Sequence, residues 1–159
     1  RLTELGRAMA AFPVAPRYAK MLALSHQGGA ALMAHMVPMV AAFSVPELLM
    51  EEGGERKRWQ QLRRKWARVG NSLALGDAIV LLRAVGACEY HYAQAGGGGE
   101  EEFCAANGLR AKAVSEIRRL RRQLTHEANV LLAARGQEEI VLDPRMGPPT
   151  EKQARMIRQ

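Results

Sequence analysis

A chain of 159 residues with 48% hydrophobic side chains has enough apolar surface for one domain with a real core. Its 23 Lys and Arg against 16 Asp and Glu leave a formal charge of +7. That excess favours a polyanionic partner: nucleic acid first, then an acidic membrane, then an acidic protein. Two cysteines, Cys88 and Cys104, are too few for a disulfide framework and stand in no metal-ligand spacing. The best apolar stretch, from Ala30 to Val45, contains His35 and Pro38 and is not clean enough to span a bilayer. Cys88 lies in an apolar run and reads as a buried free thiol, so the chain reads as intracellular; no signal peptide is visible either. Its start at Arg1 rather than Met reads as an excised piece.

Aromatic residues supply 5% of the chain, while Leu, Ala, Val and 8 methionines are plentiful. The unbranched and small side chains among them lose little entropy in helices, so an all-α fold is expected. In chain order, Leu5, Ala8, Met9 and Phe12 form a short helical stripe that Pro13 and Pro16 interrupt. Pro16 holds the usual first-turn place before Tyr18, Met21, Leu22 and Leu24. Gly28 and Gly29 end that helix. A second apolar helix follows from about Ala30 to Phe43, with Pro38 expected to kink it, and Ser44 to Glu47 reads as a cap and restart.

From Glu55 to Val69 the chain turns basic, while Trp59, Leu62, Trp66 and Val69 mark one face of an amphipathic helix. Two tryptophans on such a stripe read as packing residues rather than base-stacking platforms. Leu73 to Tyr90 is apolar nearly all round and reads as the central buried helix, with Asp77 in or near its first turn. Ala95 to Glu102, with four consecutive glycines and three glutamates, reads as a flexible surface loop. No Gly-Lys-Ser or Gly-Lys-Thr follows it, so it is not a phosphate loop. A long helix is expected from about Leu109 to Leu132, with Leu109, Ala113, Ile117, Leu120, Leu124, Ala128 and Leu131 as its apolar face. Beyond it, Ile140 to Leu142 could form a short strand, Pro144, Pro148 and Pro149 mark a linker, and Thr150 with Gln153 opens a final basic helix.

The catalytic inventory is empty. His26, His35, His91 and His126 stand in no zinc spacing, and there is no serine elbow, paired-carboxylate pattern or nucleotide-binding glycine loop. His35 reads as a hydrogen-bonded core histidine. The basic inventory is richer. At about 100° per residue, Lys112, Arg118, Arg119 and Arg122 point away from the apolar stripe of the long helix, while Arg110 and Arg121 fall on its edge. An outward arginine face needs no explanation beyond solubility. An arginine at the rim of a core needs an anion: Asp77 is a conceivable structural partner, and a phosphate the conceivable functional one.

Leu2-Thr3-Glu4-Leu5-Gly6-Arg7, Phe12-Pro13-Val14-Ala15-Pro16 and Met21-Leu22 resemble the signature of DEAH-box helicases where the winged-helix domain meets the helicase-associated, ratchet-like helical domain. Ala41 to Pro46, Gly76-Asp77 with Leu81-Leu82, Phe103-Cys104-Ala105-Ala106-Asn107 and Arg118 to Leu124 resemble further family stretches in the same order. Ala19 to Ser25, Val85 to Tyr90 and Asp143 to Glu151 are similar to the nucleolar branch that acts in small ribosomal subunit assembly. Phe103 departs from the family's usual Trp, and the tetraglycine has no counterpart.

The resemblance implies a ratchet-like domain over 13–136, with the end of a winged-helix domain over 1–12 and a linker to an OB-fold over 137–159. It implies an ATP-dependent RNA helicase whose ATP and Mg bind RecA-like lobes upstream, with no cofactor in this segment. The ratchet-like domain would wall an RNA tunnel together with those lobes and the OB-fold. By matching positions, Asn107, Lys112 and Arg121, and after them Arg118, are implied to hold single-stranded RNA (pre-rRNA or snoRNA); for Asn107, helix capping is an equal alternative. The implied location is the nucleolus. The competing reading is a basic helical module that docks on a ribosome-assembly protein.

Overall fold

The structure, a computed structural model, describes residues 2–46, 48, 77–138 and 140. The described residues form α1 (Glu4–Ala10), α2 (Pro16–Ser25), α3 (Gly29–Ser44), α4 (Asp77–Gln94), α5 (Glu100–Ala106) and α6 (Ala111–Ala134), with a 3-10 turn over His26–Gly28. Among them no strand occurs, so the all-α expectation holds. The basic Trp-containing stretch 55–69, residues 141–142 of the expected strand and the helix expected after Thr150 lie outside the described residues, and Ile140 is described with no strand assignment.

Local chemistry sets most of the boundaries. Thr3 caps α1, its Oγ1 accepting the Gly6 N–H at 3.1 Å. Pro16 opens α2 at the position where its missing N–H costs nothing. Three helices end in the same way: Gly96 (φ 62°), Gly108 (φ 70°) and Gly136 (φ 65°) adopt the left-handed conformation just past α4, α5 and α6. The next N–H in each case bonds back across the last turn, from Gly97 to the Tyr92 carbonyl at 2.9 Å, Leu109 to Cys104 at 2.9 Å and Gln137 to Leu132 at 3.0 Å. This arrangement satisfies carbonyls that a helix end would otherwise leave open.

Two expectations are corrected. The glycine-rich segment is a folded helix cap rather than a flexible loop, and it closes at Gly99: Glu100, Glu101 and Glu102 are the first turn of α5, where acids complement the helix dipole. Among the described residues the most fully buried helix is α3 rather than α4, whose side chains are described from Val80 on. Every side chain from Met36 to Ala42 is buried, two turns closed off on all sides, because α3 packs against α2, α4 and α6 together. By contrast α4 carries exposed Tyr90 and half-buried Arg83, Gly86 and Glu89. Pro38 sits inside α3, and the helix runs unbroken through it. The bond that its missing N–H denies the Ala34 carbonyl is given up in the interior, beside closely packed Met33, Met39 and Val40.

Two backbone ties fix the connections around α6. The Arg110 N–H donates to the Leu48 carbonyl at 2.9 Å, joining the start of α6 to the chain that leaves α3. The Asn129 amide imitates a peptide group: its Oδ1 accepts the Ile140 N–H at 2.7 Å and its Nδ2 donates to the Ile140 carbonyl at 3.1 Å. The chain after α6 is thereby held against that helix, with Ile140 buried.

Glycine substitutions test the caps. Gly136→Ala, with nothing within 4 Å of a new Cβ, should lose about 1 kcal/mol through its left-handed backbone alone. Gly98→Ala, outside the left-handed region, should change stability by less than about 0.5 kcal/mol. Urea unfolding midpoints compare the two directly.

Candidate nucleic-acid interface and the arginine network behind it

Helix α6 carries most of the candidate residues, and its buried face is not the one the apolar pattern implies. The buried side chains are Ala113, Val114, Ile117, Arg118, Arg121, Leu124, Thr125, Ala128 and Leu132. Relative to the expected stripe the helix is turned by roughly 60°, which leaves Leu120 and Leu131 half-buried and draws Arg118 inward. The expectation that Arg118 points outward is therefore wrong: it is 8% exposed. Arg121, expected at the edge, is 6% exposed.

Both arginines are enclosed by counter-charge. Arg118 donates from Nε to Glu89 Oε1 at 2.7 Å and from Nη2 to Glu100 Oε1. Its guanidinium lies over the Tyr92 ring, with the central carbon 3.8 Å from the ring centroid. Arg121 Nη1 stands 3.9 Å from the other Glu89 oxygen, Oε2. One carboxylate near Arg121 is therefore that of Glu89; the Asp77 side chain, conceived from the sequence as a structural partner, lies outside the described residues. One carboxylate of α4 thus serves two arginines of α6, and Glu100 brings α5 into the same network. Burial works against the charged Arg118 guanidinium, but the Glu100 bond and the Glu89 charge more than offset it, so its proton is held more tightly than usual.

The same junction buries Cys88 and Cys104, both free thiols. Burial pushes both thiols above their usual range, and the Glu100 charge adds to the effect in each. The expectation of a buried free thiol at Cys88 holds. His91 stacks on Phe103 with centroids 4.4 Å apart, so an aromatic contact also joins α4 to α5. His35, read as a core histidine, is half-buried and hydrogen-bonds through Nδ1 to the Ala31 carbonyl at 3.0 Å.

The other two candidates stand apart from this network, where α5 turns into α6. Asn107 is the C-cap of α5, and its Nδ2 donates to the Phe103 carbonyl at 2.7 Å. The capping alternative is thus observed, at the end of α5. Lys112 is exposed in the first turn of α6. It lines a groove with Glu101, Leu109, Arg110, Ala111 and Glu116. The structure brings Arg118 and Arg121 together on Glu89 and leaves Lys112 facing solvent about 9 Å further back along the helix. Among the described residues no cluster of three or more His, Cys, Asp or Glu could hold a metal ion, and no helix is long and apolar enough to cross a membrane.

Sequence reasoning missed Glu89, Glu100 and Tyr92. A carboxylate set between Cys88 and Tyr90 in an apolar helix was a usable signal, because such a group is seldom enclosed without a partner. Glu100 gave none once its segment was taken for a loop.

The architecture and this basic helix fit what comparison with known proteins shows. Residues 15–81 match the family described as helicase associated domain (HA2), ratchet-like. The chain contains the ratchet-like helicase-associated domain of DEAH-box RNA helicases. It is 49% identical over 166 residues to the probable ATP-dependent RNA helicase kurz of Drosophila melanogaster, covering 99% of this chain and 13% of that protein. It is 47% identical over 171 residues to the probable ATP-dependent RNA helicase DHX37 of Homo sapiens, covering 99% of this chain and 14% of that protein. The chain therefore spans about one-seventh of the length of these relatives. In the ratchet-like domain, the family match takes in α2, α3 and the opening of α4. The arginine network, which begins at Glu89 of α4 and continues on α5 and α6, lies beyond it, in the part that these relatives also cover.

Two outcomes follow for this network. Arg118→Ala should lower the unfolding free energy by about 3 kcal/mol, because it takes the cation from Glu100 and leaves Glu89 only the more distant Arg121. Arg118→Lys should recover only part, since an ammonium cannot span both acids and lie flat on Tyr92. In the folded chain at pH 8, Cys88 and Cys104 should resist iodoacetamide, their raised pKa leaving little thiolate, and react at ordinary thiol rates once urea unfolds it.

Proposed function

We propose that this domain is the RNA-binding accessory part of an ATP-dependent DEAH-box RNA helicase and forms part of the wall of its RNA tunnel. The observation that carries the reading is the near-complete coverage of the chain by proteins named as ATP-dependent RNA helicases. The formal charge of +7 and the exposed Lys112 in the first turn of a 24-residue helix support it. ATP and Mg would act on RecA-like lobes elsewhere in the helicase, and this segment would take no part in hydrolysis. Residues 1–12 would belong to a winged-helix domain and 137–159 to the approach to an OB-fold.

Within this reading the four candidates divide. Lys112 would meet RNA phosphate directly, and Asn107 would contact RNA while capping α5. Arg118 and Arg121, both buried against Glu89, would act by holding α6 in place against α4 and α5. A role in small ribosomal subunit assembly, on pre-rRNA or snoRNA in the nucleolus, rests on the resemblance of Ala19 to Ser25, Val85 to Tyr90 and Asp143 to Glu151 to that branch.

The test is binding of a single-stranded RNA to the full-length helicase at several salt concentrations. Lys112→Ala should weaken binding and lower the salt slope by about 0.7, one phosphate contact on a single strand, with thermal stability unchanged. Unchanged affinity and slope would remove Lys112 from the interface. Competition by an acidic protein partner, with no effect of RNA, would favour a docking module instead.

A further inference from the structure

A second pocket lies where the start of α2, the end of α3 and the middle of α6 meet, and it shares no residue with the Lys112 groove. Its lining includes Pro13, Arg17, Tyr18, Phe43, Ser44 and Leu120. The Tyr18 and Phe43 rings are parallel within 5°, with centroids 6.1 Å apart. Arg17 is exposed, yet it is held in place: Nη2 donates to the Tyr18 hydroxyl at 2.8 Å, and the guanidinium carbon lies 4.5 Å from the Tyr18 centroid. Among the described residues Arg17 makes no ion pair, so none of them compensates its charge. The Ser44 Oγ is buried and has no hydrogen-bond partner there. Lys20, one turn further along α2, is also exposed and adds positive charge nearby.

A pre-ordered guanidinium and two parallel aromatic rings supply two contacts that one nucleotide of an unpaired strand offers: phosphate and base face. We propose that this pocket is a second subsite for single-stranded RNA, with Arg17 on a phosphate and the Tyr18 and Phe43 pair against a base. It rests on the RNA-binding reading above and extends the path of the strand to the α2 side of the domain. A proline-rich peptide would also use aromatic walls, but it would leave the fixed cation of Arg17 without a counter-charge.

The experiment uses the full-length helicase and a single-stranded RNA of about 12 nucleotides, a length within the usual range for such sites. Arg17→Ala, a surface change that should leave melting unaltered, is expected to weaken binding roughly fivefold to tenfold and lower the salt slope by about 0.7. Because a Phe43 variant could disturb packing, the base contact is read instead in the unmutated protein. RNA carrying 5-iodouridine should photo-cross-link to Tyr18 or Phe43, as mapped by mass spectrometry. Unchanged affinity in Arg17→Ala, or cross-links confined to other segments, would overturn the subsite. If Lys112→Ala weakens binding in the same assay, the wider RNA reading survives that failure; if neither variant does, both fall. Binding of a proline-rich peptide that Arg17→Ala abolishes, with RNA unaffected, would also overturn the proposal by assigning the pocket to a protein.

Discussion

Enclosing an arginine between helices costs several kcal/mol unless its charge is met within the same space, and much else in this domain depends on how Arg118 is met. Glu89 of α4 takes its Nε, Glu100 of α5 takes an Nη, and the Tyr92 ring lies beneath the guanidinium plane. Arg121 approaches the free side of the same Glu89 carboxylate. Two positive and two negative side chains thereby join three helices at one point. The fork geometry of guanidinium gives that joint a direction as well as an energy, which an apolar contact would not do. It sets the rotation of α6 about its own axis, and so decides that Lys112 faces outward while Arg118 does not.

The fold was largely legible in the sequence and the network was not, for a physical reason. Helix identity follows from local chemistry: Pro16 at a first turn, Thr3 at a cap and small unbranched side chains throughout. The rotation of a helix follows from what its neighbours present, which is not local. A spacing argument ranks Arg118 as outward because it counts every arginine as polar. The acids that overturn that ranking sit 29 and 18 residues away in sequence. The tetraglycine misled for a related reason. Its composition is that of a flexible linker, but Gly96, Gly97 and Gly99 are used for their left-handed backbone, which folds the segment back on the end of α4 and delivers Glu100 to Arg118. The buried centre was misplaced as well, since both α3 and α4 read as apolar and only tertiary packing shows that α3 is covered on every side.

These features bear on how such a domain would serve a motor. A wall beside a moving strand must keep its contact groups at fixed spacing while neighbouring lobes shift, and α6 is fixed at both ends. Arg110 is tied through its backbone to Leu48, and Asn129 clasps the backbone of Ile140. The arginine network fixes the middle. The exposed cations, Lys112 on one groove and Arg17 on the other pocket, then project from a framework in which Arg118 and Arg121 already face Glu89 and Glu100.

A double-mutant cycle between Arg118 and Glu89 tests this account most directly, with unfolding free energy as the readout for Arg118→Met, Glu89→Gln and the pair. If the network anchors α6, the two substitutions should be strongly non-additive, with a coupling of about 1–3 kcal/mol. A coupling near zero, with the single losses simply summing, would mean that the charges are bystanders to apolar packing and that the rotation of α6 has another cause.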